Sequence, residues 1–364
     1  MKILIGILLF ALASSTLALE ESEQGLKSEI ILTLESVSNL NGGIEQRSGF
    51  LQNLDITFEV DTKNASLWDN GTFFVYFLGS HGSNPTEYIG DIQASSNIEA
   101  FDTFKLYEAW YEHQWGDFSL LAGLHDYNSE FDVLESAGLF FGSSFGISPD
   151  TSQLGPSIFP TTALAIRGLW LNEAGYFVRG AIYDGIPGDP DNESGTHIIL
   201  KKSDGLFNAL ELGQETNNYK IALGGWYHTT DYTDFADKDR NNNKGIYLIA
   251  EHHIGKDSAL FVQLGSAQED RNEIGRYVGL GWHTTNLFNI NDEAGFAIAH
   301  ARASKDNRKL NNLESAETAF ELSYAYLLNK HVHIQPSLQY VMNPSMDSNI
   351  DNATVFAIRL TLSY

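Results

Sequence analysis

The chain closes on Phe356-Ala357-Ile358-Arg359-Leu360-Thr361-Leu362-Ser363-Tyr364, in which every second side chain is large and apolar. As a strand, this stretch puts Phe356, Ile358, Leu360, Leu362 and Tyr364 on one face and Ala357, Arg359, Thr361 and Ser363 on the other. The first face suits hydrocarbon and the second suits water. A closing strand that ends on an aromatic, placed at a membrane–water interface, predicts an all-β fold: a transmembrane antiparallel β-barrel of the outer-membrane type. Arg359 then faces an aqueous lumen. Tyr364 is the expected contact with the barrel-assembly machinery.

Working back toward the amino terminus, about sixteen segments of roughly ten residues show period-two character between Gly, Asn, Asp or Pro, as membrane strands do. They lie near 26–37, 51–61, 72–80, 104–115, 118–126, 162–171, 174–184, 206–215, 219–229, 245–254, 257–266, 275–284, 294–303, 317–327, 331–342 and 353–364. Leu54 to Asp61 alternates cleanly, with Leu54, Ile56, Phe58 and Val60 against Asp55, Thr57, Glu59 and Asp61. His331 to Tyr340 has one polar face and one that is apolar apart from Pro336. Short turns at 116–117, 172–173, 216–218, 255–256 and 329–330 alternate with long connections at 81–103, 127–161, 185–205, 230–244 and 304–316. A barrel with both termini on the periplasmic side sorts its loops in this way; a soluble sandwich has no reason to.

Lys2, the apolar run Ile3 to Leu12 and the small residues through Ala18 read as a signal peptide, residues 1–18, leaving residues 19–364 as one barrel. The apolar run falls short of the ~20 residues a membrane helix needs. A hydrophobic content of 43% and a mean hydropathy of −0.20 accord with strands that dilute a lipid face with lumen residues. The chain has no cysteine, so closure of the sheet, rather than disulfides, must stabilise it. Zinc thiolate sites and cysteine nucleophiles are excluded. The net charge of −25 argues against nucleic acid as a partner. Acidic outer loops, bridged by divalent cations to anionic lipid headgroups of the outer membrane, are a better home for that charge.

Two blocks carry a family resemblance. One is Leu124-His125-Asp126-Tyr127-Asn128-Ser129-Glu130-Phe131-Asp132, continued by Ser143 to Ile147, Gly155 to Pro160 and Ala163 to Arg167. The other is Glu317-Thr318-Ala319-Phe320-Glu321-Leu322-Ser323-Tyr324, followed by Ile334 to Tyr340 and Asn343-Pro344. Together they resemble the carbohydrate-selective porin family, the OprB type, over most of the mature chain. The resemblance implies a sixteen-stranded outer-membrane barrel through which sugars diffuse passively, without a covalent step or a cofactor. By analogy with such porins, the third outer connection, 127–161, is expected to fold inward and narrow the channel.

Sugar selectivity in a pore calls for donors and acceptors near the axis and aromatic faces for stacking. Arg167 shares a face with Ala163 and Ala165, and Arg179 opposes Tyr176, Val178 and Ile182, so both arginines should reach water. Glu108, Glu112, Glu317, Glu321 and Glu59 also fall on polar faces. Asn128, Glu130 and Asp132 open the long third loop and are its constriction candidates, followed by Phe140, Phe141 and Phe145. Trp110 and Tyr111 read either as a stacking track or, like Trp115, as part of the interfacial girdle.

Other chemistries fit poorly. Gly142-Ser143-Ser144-Phe145-Gly146 matches a nucleophile-elbow pattern but lacks the strand before it and the helix after it. This counts against an outer-membrane hydrolase. Asp237, Asp239 and Asn241 begin a calcium-loop spacing that Asn242 and Leu248 break. His331 and His333 share a strand face, which a wet lumen wall explains without a metal. A general or cation-preferring porin is the alternative favoured by the net charge, and conductance with and without glucose separates it from a sugar channel.

Overall fold

The computed structural model describes residues 25–364; the expected leader, 1–18, lies outside the described residues. Sixteen antiparallel strands close into one barrel. In chain order they are β1 (Leu26–Gly43), β2 (Ser48–Asp61), β3 (Gly71–Gly82), β4 (Thr103–Trp115), β5 (Phe118–His125), β6 (Ala163–Leu171), β7 (Tyr176–Asp184), β8 (Leu206–Glu215) and β9 (Tyr219–His228), then β12 (Asn243–Ile254), β13 (Ser258–Ala267), β14 (Ile274–Thr285), β15 (Asp292–Ala303), β16 (Ala316–Asn329), β17 (Val332–Met342) and β18 (Asp351–Ser363). The two-residue strands β10 (Tyr232–Thr233) and β11 (Asp239–Arg240) form a separate hairpin in the connection 229–242. No helix among the described residues is long and apolar enough to cross a membrane; the strands do so.

The carboxy-terminal alternation holds. Leu34 pairs with Leu360 and Glu35 with Arg359, and reciprocal 3.0 Å backbone bonds between Ile30 and Tyr364 finish the seam. From Ile31 to Asn39 the seam keeps an unbroken register with Ser363 to Val355, the internal pairing that spanning lipid requires. Phe356, Ile358 and Tyr364 are exposed on the outer surface, whereas Ala353, Val355 and Ala357 are fully buried inside.

Each predicted window falls on one barrel strand. The largest boundary error is at β1, which runs six residues past position 37 through register shifts at Asn39/Asn41 and Asn41/Gly43. Beyond the lipid, nothing demands alternation, so Ser38 to Gly43 reads as loop yet pairs as strand. The loop sorting has three exceptions. Connections 44–47 and 268–273 at the long-loop rim are short, and 62–70 at the short-turn rim is long. In β4, Tyr76 pairs with Glu108 and Phe77 with Leu106, so the bulge turns both Tyr107 and Glu108 inward.

Loop 126–162 does not cap the barrel but descends into it. Tyr127, Phe131, Phe140 and Phe145 are almost completely buried against a wall of small residues, Ala297, Ala299 and Ala301 on β15 with Ala222 on β9. Bare backbone makes room at two points. A Cβ on Gly295 would lie 2.8 Å from Leu139 and Phe140, and one on Gly265 would lie 1.9 Å from the Asp150 carboxylate. The apolar core of this protein is therefore a loop packed on one side of its own lumen.

Candidate functional site

Glutamates of the wall hold the folded-in loops by accepting from their backbone. Glu321 on β16 takes the N–H groups of Phe141 at 2.7 Å and Gly142 at 2.9 Å, with the hydroxyls of Ser323 and Ser337 on the same carboxylate. Glu251 on β12 takes Ser136 N at 3.0 Å, and Glu211 on β8 takes Asp132 N at 3.1 Å. Glu317 on β16 takes Ile92 N at 2.8 Å and Gln93 N at 3.0 Å from the connection 83–102, and Ser345 N at 2.7 Å from the connection 343–350. Hydrogen bonds to a charged acceptor contribute roughly 1.5–3 kcal/mol each. Glu317 and Glu321 are 0% and 1% exposed. They face inward as their strand positions require, but they meet loop backbone rather than water.

The arginines are engaged as well. Arg167, 2% exposed, donates to Glu112 at 3.0 Å and Ser119 at 2.9 Å on the wall, and to Glu130 of the loop at 2.6 Å. Arg179 lies 3.5 Å from Glu211, donates to the Glu130 carbonyl and packs over the Phe177 ring at 4.5 Å. Arg359 pairs with Glu35 at 2.6 Å, donates to Asn97 at 2.6 Å and lies 4.1 Å above the Phe141 ring. A planar guanidinium suits this work, because it bonds two acceptors and stacks at once.

Within loop 126–162 the candidates divide. Asn128 donates to the carbonyls of Phe131 and Gly146, and Asp132 accepts from Ser148 N at 3.0 Å and its hydroxyl at 3.1 Å; both brace the loop internally. Glu130 keeps a side chain 22% exposed. Glu108 accepts from Asp126 N at 2.8 Å and Trp110 Nε1 at 3.1 Å, which ties the start of the loop to β4. Burial pushes the loop carboxyls up: Asp126 to about 6, Asp150 to about 7, and Asp132 well above the carboxylate range, with Asp150 as a further cause.

From β1 to β4 only the half of the wall nearer the short-turn rim is left uncovered by loops: the inward-facing Asp55, Thr57, Glu59, Phe74, Tyr76 and Trp110 are half-buried, whereas Glu35, Val37 and Leu78 farther up are buried. In the uncovered half Asp55 accepts from Asn53 and Tyr76, each at 2.6 Å, and Phe74 stacks on Trp110 with centroids 4.9 Å apart. Tyr76 meets Tyr107 edge-on at 4.9 Å. A cavity of about 490 Å³ opens at the short-turn rim, lined by Lys27, Glu29, Thr57, Glu59 and Phe74 among others. The aromatic candidates separate by face. Trp110 looks into the lumen, whereas Tyr111 joins Trp68 and Phe73 outside, and Trp115 stacks on Phe118 in the girdle. Phe74 and Tyr76 escape sequence reading because Phe73 to Phe77 is apolar on both faces. Asp55 sits in the clearest alternation of the chain, and that was a usable signal.

The remaining motifs resolve simply. Ser144 lies in a one-turn helix, Ser143–Gly146, and its carbonyl accepts from Tyr277. His331 stacks on Tyr364 at 5.1 Å. Among the described residues, no group of three or more His, Asp or Glu side chains is placed to hold a metal ion.

A family model for carbohydrate-selective porins, the OprB family, matches residues 46–364. The chain belongs to that family. It is a carbohydrate-selective porin of the bacterial outer membrane. The porin is 21% identical to Porin B of Pseudomonas aeruginosa, with 93% of this chain and 87% of that protein covered. In fold it is similar to the high-pH structure of Pseudomonas putida OprB, with a TM-score of 0.84, 17% identity and coverage of 94% and 95% of the two chains. The outer-membrane channel DcaP of Acinetobacter baumannii shares the architecture with a TM-score of 0.63 at 8% identity, over 93% of this chain and 97% of that one.

Proposed function

We propose that sugars cross this porin passively along the uncovered part of the β1–β4 wall, where their hydroxyls donate to the carboxylates of Asp55, Glu112 and Glu130. The rings of Phe74, Tyr76 and Trp110 take the apolar pyranose faces. One observation carries the reading: Arg167, Arg179 and Arg359 are each engaged by carboxylates, so the lumen offers a permeant acceptors rather than free cationic donors. Arg167 and Arg179 thus act by positioning loop 126–162. No bond is made or broken in this transport, and Ser144 has no role in it.

Liposome swelling with a panel of sugars, amino acids and ions reports the permeant class, with sugars expected to pass fastest for their size. In single channels, Trp110→Ala and Asp55→Asn should each weaken glucose block several-fold while leaving the unblocked conductance nearly intact. Unchanged block in both variants would move the sugar path away from this part of the wall. The second reading, a cation-preferring diffusion channel, draws on the same acidic lumen; swelling rates that follow solute size alone would favour it.

A further inference from the structure

The turn Asn286-Leu287-Phe288-Asn289-Ile290-Asn291 joins β14 to β15 at the rim that carries the carboxy terminus. The connections 172–175, 216–218 and 255–257 at this rim are polar or small, and 62–70 exposes Leu67 and Trp68 less than fully. Turn 286–291 leaves Phe288 75% and Ile290 81% exposed, with Leu287 also uncovered. The cause is the residue that follows. Asp292 begins β15 on the outward face, in phase with Phe296, which is exposed to the outside opposite Leu322. A bare carboxylate there would face lipid at a cost. The turn folds back over it. Leu287 N, Phe288 N and Asn289 N donate to the Asp292 carboxylate at 2.7, 3.0 and 3.0 Å, and the Tyr324 hydroxyl adds a fourth bond at 3.0 Å. Asp292 ends fully buried.

Covering Asp292 brings the turn to the outer side of the wall. The Phe288 ring lies 6.1 Å from that of Tyr324, which stands on β16 in phase with the outward, exposed Leu322. The apolar tip is therefore continuous with the lipid-facing surface rather than with the lumen. Asn286, Asn289 and Asn291 flank it with amides suited to the headgroup level.

We propose that turn 286–291 is an interfacial anchor, latched by Asp292, that inserts Phe288 and Ile290 into the headgroup–acyl boundary of the adjoining leaflet, and that the partner it fits is lipid.

The absence of native cysteine makes a site-directed test direct. Phe288→Cys, Ile290→Cys and, in the polar turn 216–218, Asn217→Cys would each be spin-labelled in the full-length porin. The labelled proteins would be reconstituted in phosphatidylethanolamine–phosphatidylglycerol vesicles, with accessibility to oxygen and to a water-soluble nickel chelate read by power saturation. The anchor predicts an oxygen-to-nickel ratio several-fold higher at 288 and 290 than at 217. Adding Asp292→Ala, or the milder Tyr324→Phe if the first fails to assemble, should lower the ratio at 290 toward that at 217. Labels at 288 and 290 as open to nickel as the one at 217 would place the turn in water and overturn the proposal. Shielding from both reagents would overturn it too, since a protein surface and not lipid would then cover the tip. An unchanged ratio at 290 in the latch variants would remove Asp292 from the account.

Discussion

Arg167 sits where a wall and a loop meet, and its three partners show what a single lumen residue does here. Truncating it would strand Glu112 and Glu130 beside one another, in a place only partly open to water. Loss of hydrogen bonds to charged groups costs roughly 1.5–3 kcal/mol apiece. Arg167→Ala is therefore expected to lower the melting temperature of the purified barrel and raise open-channel noise, because Glu130 no longer ties the loop down. Arg167→Lys should recover only part of the loss, since a point charge cannot reproduce the fork between two acceptors. Wild-type stability and noise in Arg167→Ala would show that the loop is held without it.

At the scale of elements, loop 126–162 carries a titratable liability. Asp150 is completely buried, and neither of its carboxylate oxygens has a hydrogen-bond partner within the protein. Burial alone raises its carboxyl to about 7, against about 3.9 in an unfolded chain. Below both values each state is protonated and loop packing is at full strength. As pH rises from ~4 to ~7 the unfolded chain ionises first, so stability falls across that window and levels off above it. Asp150→Asn should flatten this part of the melting-temperature profile; a profile that keeps its slope in the variant assigns it to another group. The closing strand makes a separate demand. Tyr364 follows β18 with two bonds to Ile30 and a ring stacked on His331, so deleting it or replacing it with Asp should reduce heat-modifiable, membrane-embedded protein while export continues. Normal yield of assembled barrel would deny the terminal residue that role.

For the whole molecule, the balance of charge decides how ions move. A net charge of −25, with the lumen arginines neutralised by glutamates, leaves a negative potential in the pore and over its mouths. Reversal potentials in a KCl gradient should show cation preference at low ionic strength, weakening toward 1 M salt as the Debye length shrinks to ~3 Å. Anion preference at low salt would require unpaired cations along the path.

Strand number, the facing of the cleanly alternating strands and most of the rhythm of long and short connections were legible along the chain, because each rests on a local rule: lipid demands an apolar residue at every second position, and turns gather Gly, Asn and Asp. Leu54 to Asp61 and Phe356 to Tyr364 show that rule at full strength. The division of the lumen was not legible. Glu317, Glu321 and Arg359 have the same strand-face signature whether they look onto water or onto a returning loop, since buried backbone N–H groups need acceptors as much as solvent accepts polar groups. Only contacts between residues far apart in sequence, such as Gly142 with Glu321 or Asn97 with Arg359, separate wall from channel. The alternation of side chains thus determined the barrel and its membrane, whereas the inward fold of two loops against an alanine and glycine wall decided which polar residues a permeant can meet.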